Sequence, residues 1–187
     1  MHSLGYCHYD IKAENVLIDQ YGRVKLADFG LAELITEEFS KSHTARGSLN
    51  YMAPEILLSK DHDPFKADVW ALGVTIYFIA TNHLPFRGSD KETVLQEIGM
   101  GYDKARKIPR FIRKILKLCL VVDHHNRATM KDIKALIQEL HVSKPILPIL
   151  NQQMNSASSR SAMLVKPRIQ KRLSLFSVNQ SMTLPHN

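Results

Sequence analysis

The sequence predicts a mainly α-helical domain carrying one small β-hairpin, and three observations carry that prediction. Two apolar runs, Val16-Leu17-Ile18 and Val24-Lys25-Leu26, flank Asp19-Gln20-Tyr21-Gly22, the pattern of strand, tight turn, strand. Residues 69–80 form the longest apolar run, shorter than the ~20 residues a bilayer span needs; a helix apolar on all its faces belongs inside a core. Further segments repeat apolar residues at helical spacing behind capping residues.

Taken in order, Met1-His2-Ser3-Leu4 reads as the close of a helix, and the hairpin follows over residues 16–26. Residues 31–52 are polar and turn-rich, with Ser40, Ser42, Thr44 and Ser48, and read as a mobile loop. Pro54-Glu55-Ile56-Leu57-Leu58 starts a short helix, with proline in its first turn. Asp63-Pro64 is a loop signal before the buried helix, expected over residues 66–81 and ended by Asn82 and Pro85. Ser89-Asp90 caps a helix over residues 91–99. Pro109 opens an amphipathic segment with Ile112, Ile115, Leu116, Cys119 and Leu120 on one side. Thr129 caps a last helix with Ile133, Leu136, Ile137 and Leu140 on one stripe.

Composition divides the chain in two. Residues 143–187 hold six basic side chains and no acidic one, while the whole chain carries +7, so the basic character belongs to the tail. That tail is rich in Ser, Asn, Gln and Pro and is expected to be mostly disordered. The division is a folded part at 1–141 and a basic extension at 142–187. Cys7 and Cys119 have no metal-ligand spacing, and reduced thiols in a cytoplasmic or nuclear setting are expected. No signal peptide is read near Met1. His62, His83, His124 and His125 lack partner ligands at zinc spacing and read as surface residues.

The chemistry is concentrated near the start. A hairpin at 16–26 carries Asp10, Lys12 and Asn15 at one end and returns Asp28 to that same end. Two carboxylates, an amide and an ammonium in one small volume suit a magnesium-bound phosphate and a hydroxyl that must lose its proton.

Five motifs in order carry a family resemblance: His8-x-Asp10 with Asn15 five residues on, Asp28-Phe29-Gly30, Ala53-Pro54-Glu55, Asp68-Val69-Trp70-Ala71-Leu72-Gly73, and Arg127 in Asn126-Arg127-Ala128-Thr129. Over roughly residues 1–140 the chain resembles the C-terminal lobe of eukaryotic serine/threonine protein kinases, weakly of the calcium/calmodulin-dependent group, and lacks the N-terminal lobe's Gly-x-Gly-x-x-Gly loop. The resemblance implies a protein-kinase-like C-lobe fold, ATP and Mg²⁺ as cofactors, and a protein substrate. It makes Asp10 the catalytic base, with Lys12 and Asn15 beside it as catalytic residues. It places the cofactor against Lys12, Glu14, Asn15, Leu17 and Asp28, and the metal on Asn15 and Asp28. It makes Glu55 and Arg127 a structural ion pair, Asp68 the anchor of the catalytic loop, and Trp70 core.

Two positions depart from the family. Tyr9 stands where an arginine usually receives an activation-loop phosphate, which puts a phosphate switch at Thr44 in doubt. Ala13 replaces a common proline. Leu17 and Phe29 are expected to lie exposed on the face that meets the missing lobe, where a partner would cover them. Lys171-Arg172-Leu173-Ser174 is a pattern that basophilic kinases accept. Two functions follow: a serine/threonine kinase, with this chain inactive alone, or a binding module competing with a full-length kinase. A specific nucleic-acid role lacks the aromatic interleaving such sites use, and no membrane span is expected.

Overall fold

Gly5, at φ 78°, ends a 3-10 turn at His2–Leu4 and directs the chain into β1 (Tyr6–Cys7). The computed structural model describes residues 1–36, 47–102 and 107–143. Ser40, Ser42 and Thr44, the extension after 143, and Ser174 lie outside the described residues. A second 3-10 turn, Ala13–Asn15, leads into β2 (Val16–Ile18), which pairs antiparallel with β3 (Val24–Leu26) in the register Val16↔Leu26, Leu17↔Lys25, Ile18↔Val24. The connecting turn is built by Asp19, whose Oδ1 accepts from the backbone N–H of Tyr21 and of Arg23, both at 2.9 Å. Gly22 supplies the positive φ of 75° that the turn requires. A second ladder joins β1 to β4 (Glu33–Leu34), with Tyr6 opposite Leu34 and Cys7 opposite Glu33.

Among the described residues five α-helices follow: α1 (Pro54–Leu57), α2 (Pro64–Thr81), α3 (Lys91–Met100), α4 (Arg110–Cys119) and α5 (Met130–Ser143). Their ends are chemically set. Asp63 caps α2 by accepting from Phe65 N, and Asn82 closes it in the left-handed conformation. Asp90 caps α3 through Thr93 N at 2.9 Å. Thr129 and Asp132 form a reciprocal box at the start of α5, each side chain accepting from the other's backbone N–H.

Helix α2 is the axis of the unit Met1–Glu139. Its Trp70 and Val74 pack with Ile11, Phe86, Val94 and Ile98, and the Trp70 and Phe86 rings stack at 5.6 Å. Val69 meets Ile115 and Cys119 of α4 and Ile133 of α5, while Tyr77 meets Ile108 and Leu116. Burying each such side chain contributes ~1.5–3 kcal/mol, so the apolar run of the sequence becomes the core. At Gly73 α2 packs tightly on α4, and a Cβ there would stand 2.6 Å from Cys119 Cβ. No helix among the described residues is long and apolar enough to cross a membrane.

Two segments distant in sequence are clamped by a buried ion pair. Arg127 donates Nη1 to Glu55 Oε1 at 2.6 Å and Nη2 to Oε2 at 2.8 Å. Its other N–H groups reach the carbonyls of Lys66 and Val121, and its guanidinium lies 5.0 Å over the Trp70 ring.

Two expectations change. His62, read as a surface residue, is buried, its Nδ1 bonding the Lys60 carbonyl at 3.0 Å in a local turn that folds the ring inward. Leu17, read as exposed, is half-buried opposite Lys25 in the hairpin. Phe29 is exposed.

Candidate active site

The segment His8–Asn15 hangs from helix α2. Asp68, almost fully buried, accepts from the backbone N–H of His8 at 2.8 Å and of Tyr9 at 2.9 Å, and its Oδ2 lies 2.8 Å from His2 Nε2. Those bonds hold Tyr9 at φ 63°, a left-handed conformation uncommon for an aromatic residue. Across from it Gly47 sits at φ 104°, where a Cβ would lie 2.5 Å from the Tyr9 carbonyl oxygen. Only glycine permits that approach, and it brings Ser48 to the loop.

Asp10 is the centre of the cluster. Lys12 Nζ donates to its Oδ2 at 2.5 Å, Asn15 Nδ2 to the same oxygen at 3.1 Å, and Ser48 Oγ to Oδ1 at 3.2 Å. Lys12 Nζ also reaches Ser48 Oγ at 3.1 Å, and Asn15 Nδ2 holds the Asp10 carbonyl at 2.9 Å. Burial pushes the Asp10 carboxyl up, but the hydrogen bond and charge of Lys12, with Ser48 and Asn15, outweigh it and hold it below the usual carboxylate range. An ionised carboxylate thus stands beside a cation and a hydroxyl and lines a small cleft together with Tyr9, Ser48, Tyr51 and Asp68. Tyr51 OH bonds Glu14 at 3.4 Å, and burial, then the Glu14 charge, push its hydroxyl up to about 12.

The Asp28 end is tied in through the His8 ring. His8 Nδ1 accepts from the Asp10 backbone N–H at 3.3 Å, so Nε2 carries the proton and donates to the Ala27 carbonyl at 3.2 Å. Ala27 N–H in turn donates to the Asn15 carbonyl at 2.9 Å. Asp28, the next residue, is exposed at φ 64° and bonds none of the described residues. Phe29 meets His8 edge-on at 4.9 Å. The structure therefore links Asp10, Lys12 and Asn15 by side-chain hydrogen bonds, and brings Asp28 to them only through the backbone. Glu14 and Leu17 lie on the flanking turn and on β2. Ser48 is the residue that sequence reasoning left outside the site. It comes from more than thirty residues away, and no local pattern marks it beyond the glycine before it.

The donor set offers hard oxygen ligands. With Asn15 Nδ2 occupied by Asp10, its amide oxygen remains to coordinate, and the Asp28 carboxylate is open to solvent, a pair that suits a small divalent cation.

The family model described as "Protein kinase domain" matches residues 1–137. Among curated relatives, the chain is 36% identical over 139 residues to the CBL-interacting serine/threonine-protein kinase 15 of Arabidopsis thaliana, covering 71% of this chain and 32% of that protein. It is 38% identical over 141 residues to CBL-interacting serine/threonine-protein kinase 1 of the same plant, covering 72% and 31%. It is 32% identical over 149 residues to the serine/threonine-protein kinase PKH1 of Saccharomyces cerevisiae, covering 72% and 19%. The chain thus spans about a third or less of these relatives.

Proposed function

The chain belongs to the protein kinase family, and from that premise we propose that residues 8–28 form one wall of a site moving the γ-phosphoryl group of ATP to serine or threonine hydroxyls of protein substrates. The observation that carries this reading is the ionised Asp10 carboxylate held between Lys12, Asn15 and Ser48. In it, Asp10 receives the proton of the substrate hydroxyl, and Lys12 offsets charge on the group in transfer. Glu14 and Leu17 border the nucleotide, and Asn15 and Asp28 hold Mg²⁺. The bound ion supplies neutralisation of phosphate charge. The kinase part is 1–141, the extension 142–187, and the setting cytoplasmic or nuclear, supported by two free buried thiols.

The 187 residues contain no Gly-x-Gly-x-x-Gly loop, and this polypeptide by itself is proposed to transfer phosphate at a negligible rate. Positioning and electrostatic stabilisation of the nucleotide phosphates are what such a loop adds. A second reading rests on a specific surface: Ile18, Val24, Phe29, Leu31 and Leu34, along the hairpin and the stretch after it, are exposed apolar side chains. Covered by a partner, they make the chain a binding module or a competitor of a full-length kinase.

One experiment separates these. Residues 1–187 are joined to an upstream half bearing a Gly-rich loop and a phosphate-binding lysine, and peptide labelling from radiolabelled ATP is measured. Mg²⁺-dependent transfer that falls by about 10²–10⁴ in Asp10→Asn is expected. Transfer that survives Asp10→Asn refutes the assignment of the base, and robust transfer by 1–187 alone refutes the negligible rate. Failure of every pairing, with tight binding of a partner through Phe29, favours the module.

A further inference from the structure

His2 and Cys7 stand five residues apart, a spacing that marks no metal motif in the sequence, yet the fold brings both to Asp68. Gly5 turns the chain at φ 78°, its N–H bonding the His2 carbonyl at 3.0 Å, and β1 returns against the 3-10 turn. One ring nitrogen of His2, the Cys7 Sγ and one carboxylate oxygen of Asp68 all lie within 4.8 Å of one another. Asp68 and Cys7 are buried, and the His2 side chain, 16% exposed, leaves an entry path. Imidazole nitrogen, sulfur and carboxylate oxygen converging on one point are the donors zinc takes. With bonds of about 2.0–2.3 Å, such atoms stand roughly 3.3–3.6 Å apart around a tetrahedral ion. The 2.8 Å contact between His2 and Asp68 opens by about half an ångström to reach that geometry, and the sulfur closes by about an ångström. Side-chain rotation covers both.

The surroundings of Cys7 favour a cation. It is fully buried, yet it belongs to none of the three apolar clusters formed by the described residues. Glu33 stands opposite it in the β1–β4 ladder, and burial, then the charges of Asp68, Asp63 and Glu33, push its thiol up. A setting that opposes a bare thiolate reverses when a divalent ion arrives, because the ion deprotonates the sulfur it coordinates. As the metal–sulfur bond forms, the Cys7 S–H proton leaves to solvent. The neutral His2 ring shifts its proton from Nε2 to Nδ1 and turns the Nε2 lone pair to the ion. Asp68 Oδ2 exchanges its His2 hydrogen bond for the ion and keeps the His8 N–H, while Oδ1 keeps that of Tyr9. One thiolate and one carboxylate then cancel the double charge, and the buried complex is neutral. Thiolate selects zinc against Mg²⁺, which prefers oxygen ligands. We propose that His2, Cys7 and Asp68 form a zinc site, with solvent as the fourth ligand, at the root from which His8–Asn15 hangs.

The test is a titration of the 187-residue chain with Co²⁺ and then Zn²⁺ under reducing conditions. Cobalt bound to a thiolate shows a near-ultraviolet charge-transfer band, and the chain has two cysteines. The band therefore reports Cys7 or Cys119, and a site made of histidines alone stays silent. The parent should show the band, lose it to Zn²⁺, and release a proton as the ion binds. Cys7→Ser should abolish the band and Cys119→Ala should keep it. His2→Gln retains both thiols and both backbone bonds to Asp68, and it keeps the result readable should Cys7→Ser not fold. Loss of an outer partner of a metal costs about 10–100-fold in affinity, so loss of the His2 ligand should cost about 100-fold or more. Zn²⁺ should also raise the Tm of the parent and not that of Cys7→Ser. No band in the parent, a band that persists in Cys7→Ser, a band lost in a folded Cys119→Ala, or unchanged affinity in His2→Gln each overturns the proposal.

Discussion

Replacing Arg127 by methionine keeps most of its volume and removes its charge and all of its side-chain N–H donors. Both partners of the pair are buried, with side-chain exposures of 0% and 3%. The substitution leaves the Glu55 carboxylate in the interior without its two bonds at 2.6 and 2.8 Å. Breaking one side of a buried pair costs ~3–5 kcal/mol, because the remaining charge is uncompensated. The loss of the Lys66 and Val121 carbonyl contacts and of the guanidinium over Trp70 acts in the same direction. About 4 kcal/mol is a large share of the 5–15 kcal/mol typical of a domain. At roughly 3–4 °C per kcal/mol for a unit of this size, Tm should fall by about 10–15 °C. The assay is urea and thermal unfolding followed by circular dichroism for the parent, Arg127→Met, Glu55→Leu, and both together. The double variant buries no charge, so it should be more stable than Arg127→Met, with a coupling of roughly 2–3 kcal/mol. A loss below about 1 kcal/mol in Arg127→Met, or strictly additive losses in the double variant, would refute the desolvation reasoning.

Close packing at Gly73 and burial at Tyr51 each carry a further expected outcome. Gly73→Ala should destabilise the fold by about 1–3 kcal/mol, although alanine is the better helix former by ~1 kcal/mol, because the added methyl meets Cys119 Cβ at 2.6 Å; urea midpoints decide the sign. Tyr51 is neutral in both folded and unfolded chains below pH 10, and its folded value lies near 12. Its contribution to stability should therefore be present below pH 10 and be lost as pH rises from 10 towards 12. Tyrosinate absorbance should show a late-ionising component that Tyr51→Phe removes.

What could be read from the sequence was local. The hairpin at 16–26 declared itself because apolar runs and a glycine-containing turn are neighbours in the chain, and the caps at Asp63, Asp90 and Thr129 act within three residues of where they stand. The β1–β4 ladder was illegible: two strands of two residues, more than twenty positions apart, carry no period of their own. His62 misled for the opposite reason. Its polar neighbours Lys60, Asp61 and Asp63 read as surface, yet the Lys60 carbonyl satisfies one ring nitrogen and lets the imidazole turn inward. Ser48 was seen only as one polar residue in a loop, because the close approach of Gly47 to the Tyr9 carbonyl is a fact of folding and not of pattern.

The support beneath Asp10 bears on how inactivity of 1–187 would be understood. Asp68 fixes the His8 and Tyr9 amides, His8 holds the Ala27 carbonyl, Ala27 holds Asn15, and Asn15 and Lys12 hold Asp10. Every link in that sequence lies between His8 and Asp68, and its root is a helix packed on both α4 and the core around Trp70. Apart from His2, which bonds Asp68 at 2.8 Å, the links named here are made among the described residues of that stretch. The geometry around Asp10 is therefore a property of this unit's own interior, stable to the extent that α2 is. Weak phosphoryl transfer by the isolated polypeptide then points to what positions the nucleotide, since the carboxylate and its cation already stand in place. Loosening the root instead, as Asp68→Asn does by turning an acceptor of two backbone N–H groups into a partial donor, disorders the loop without touching a single proposed ligand.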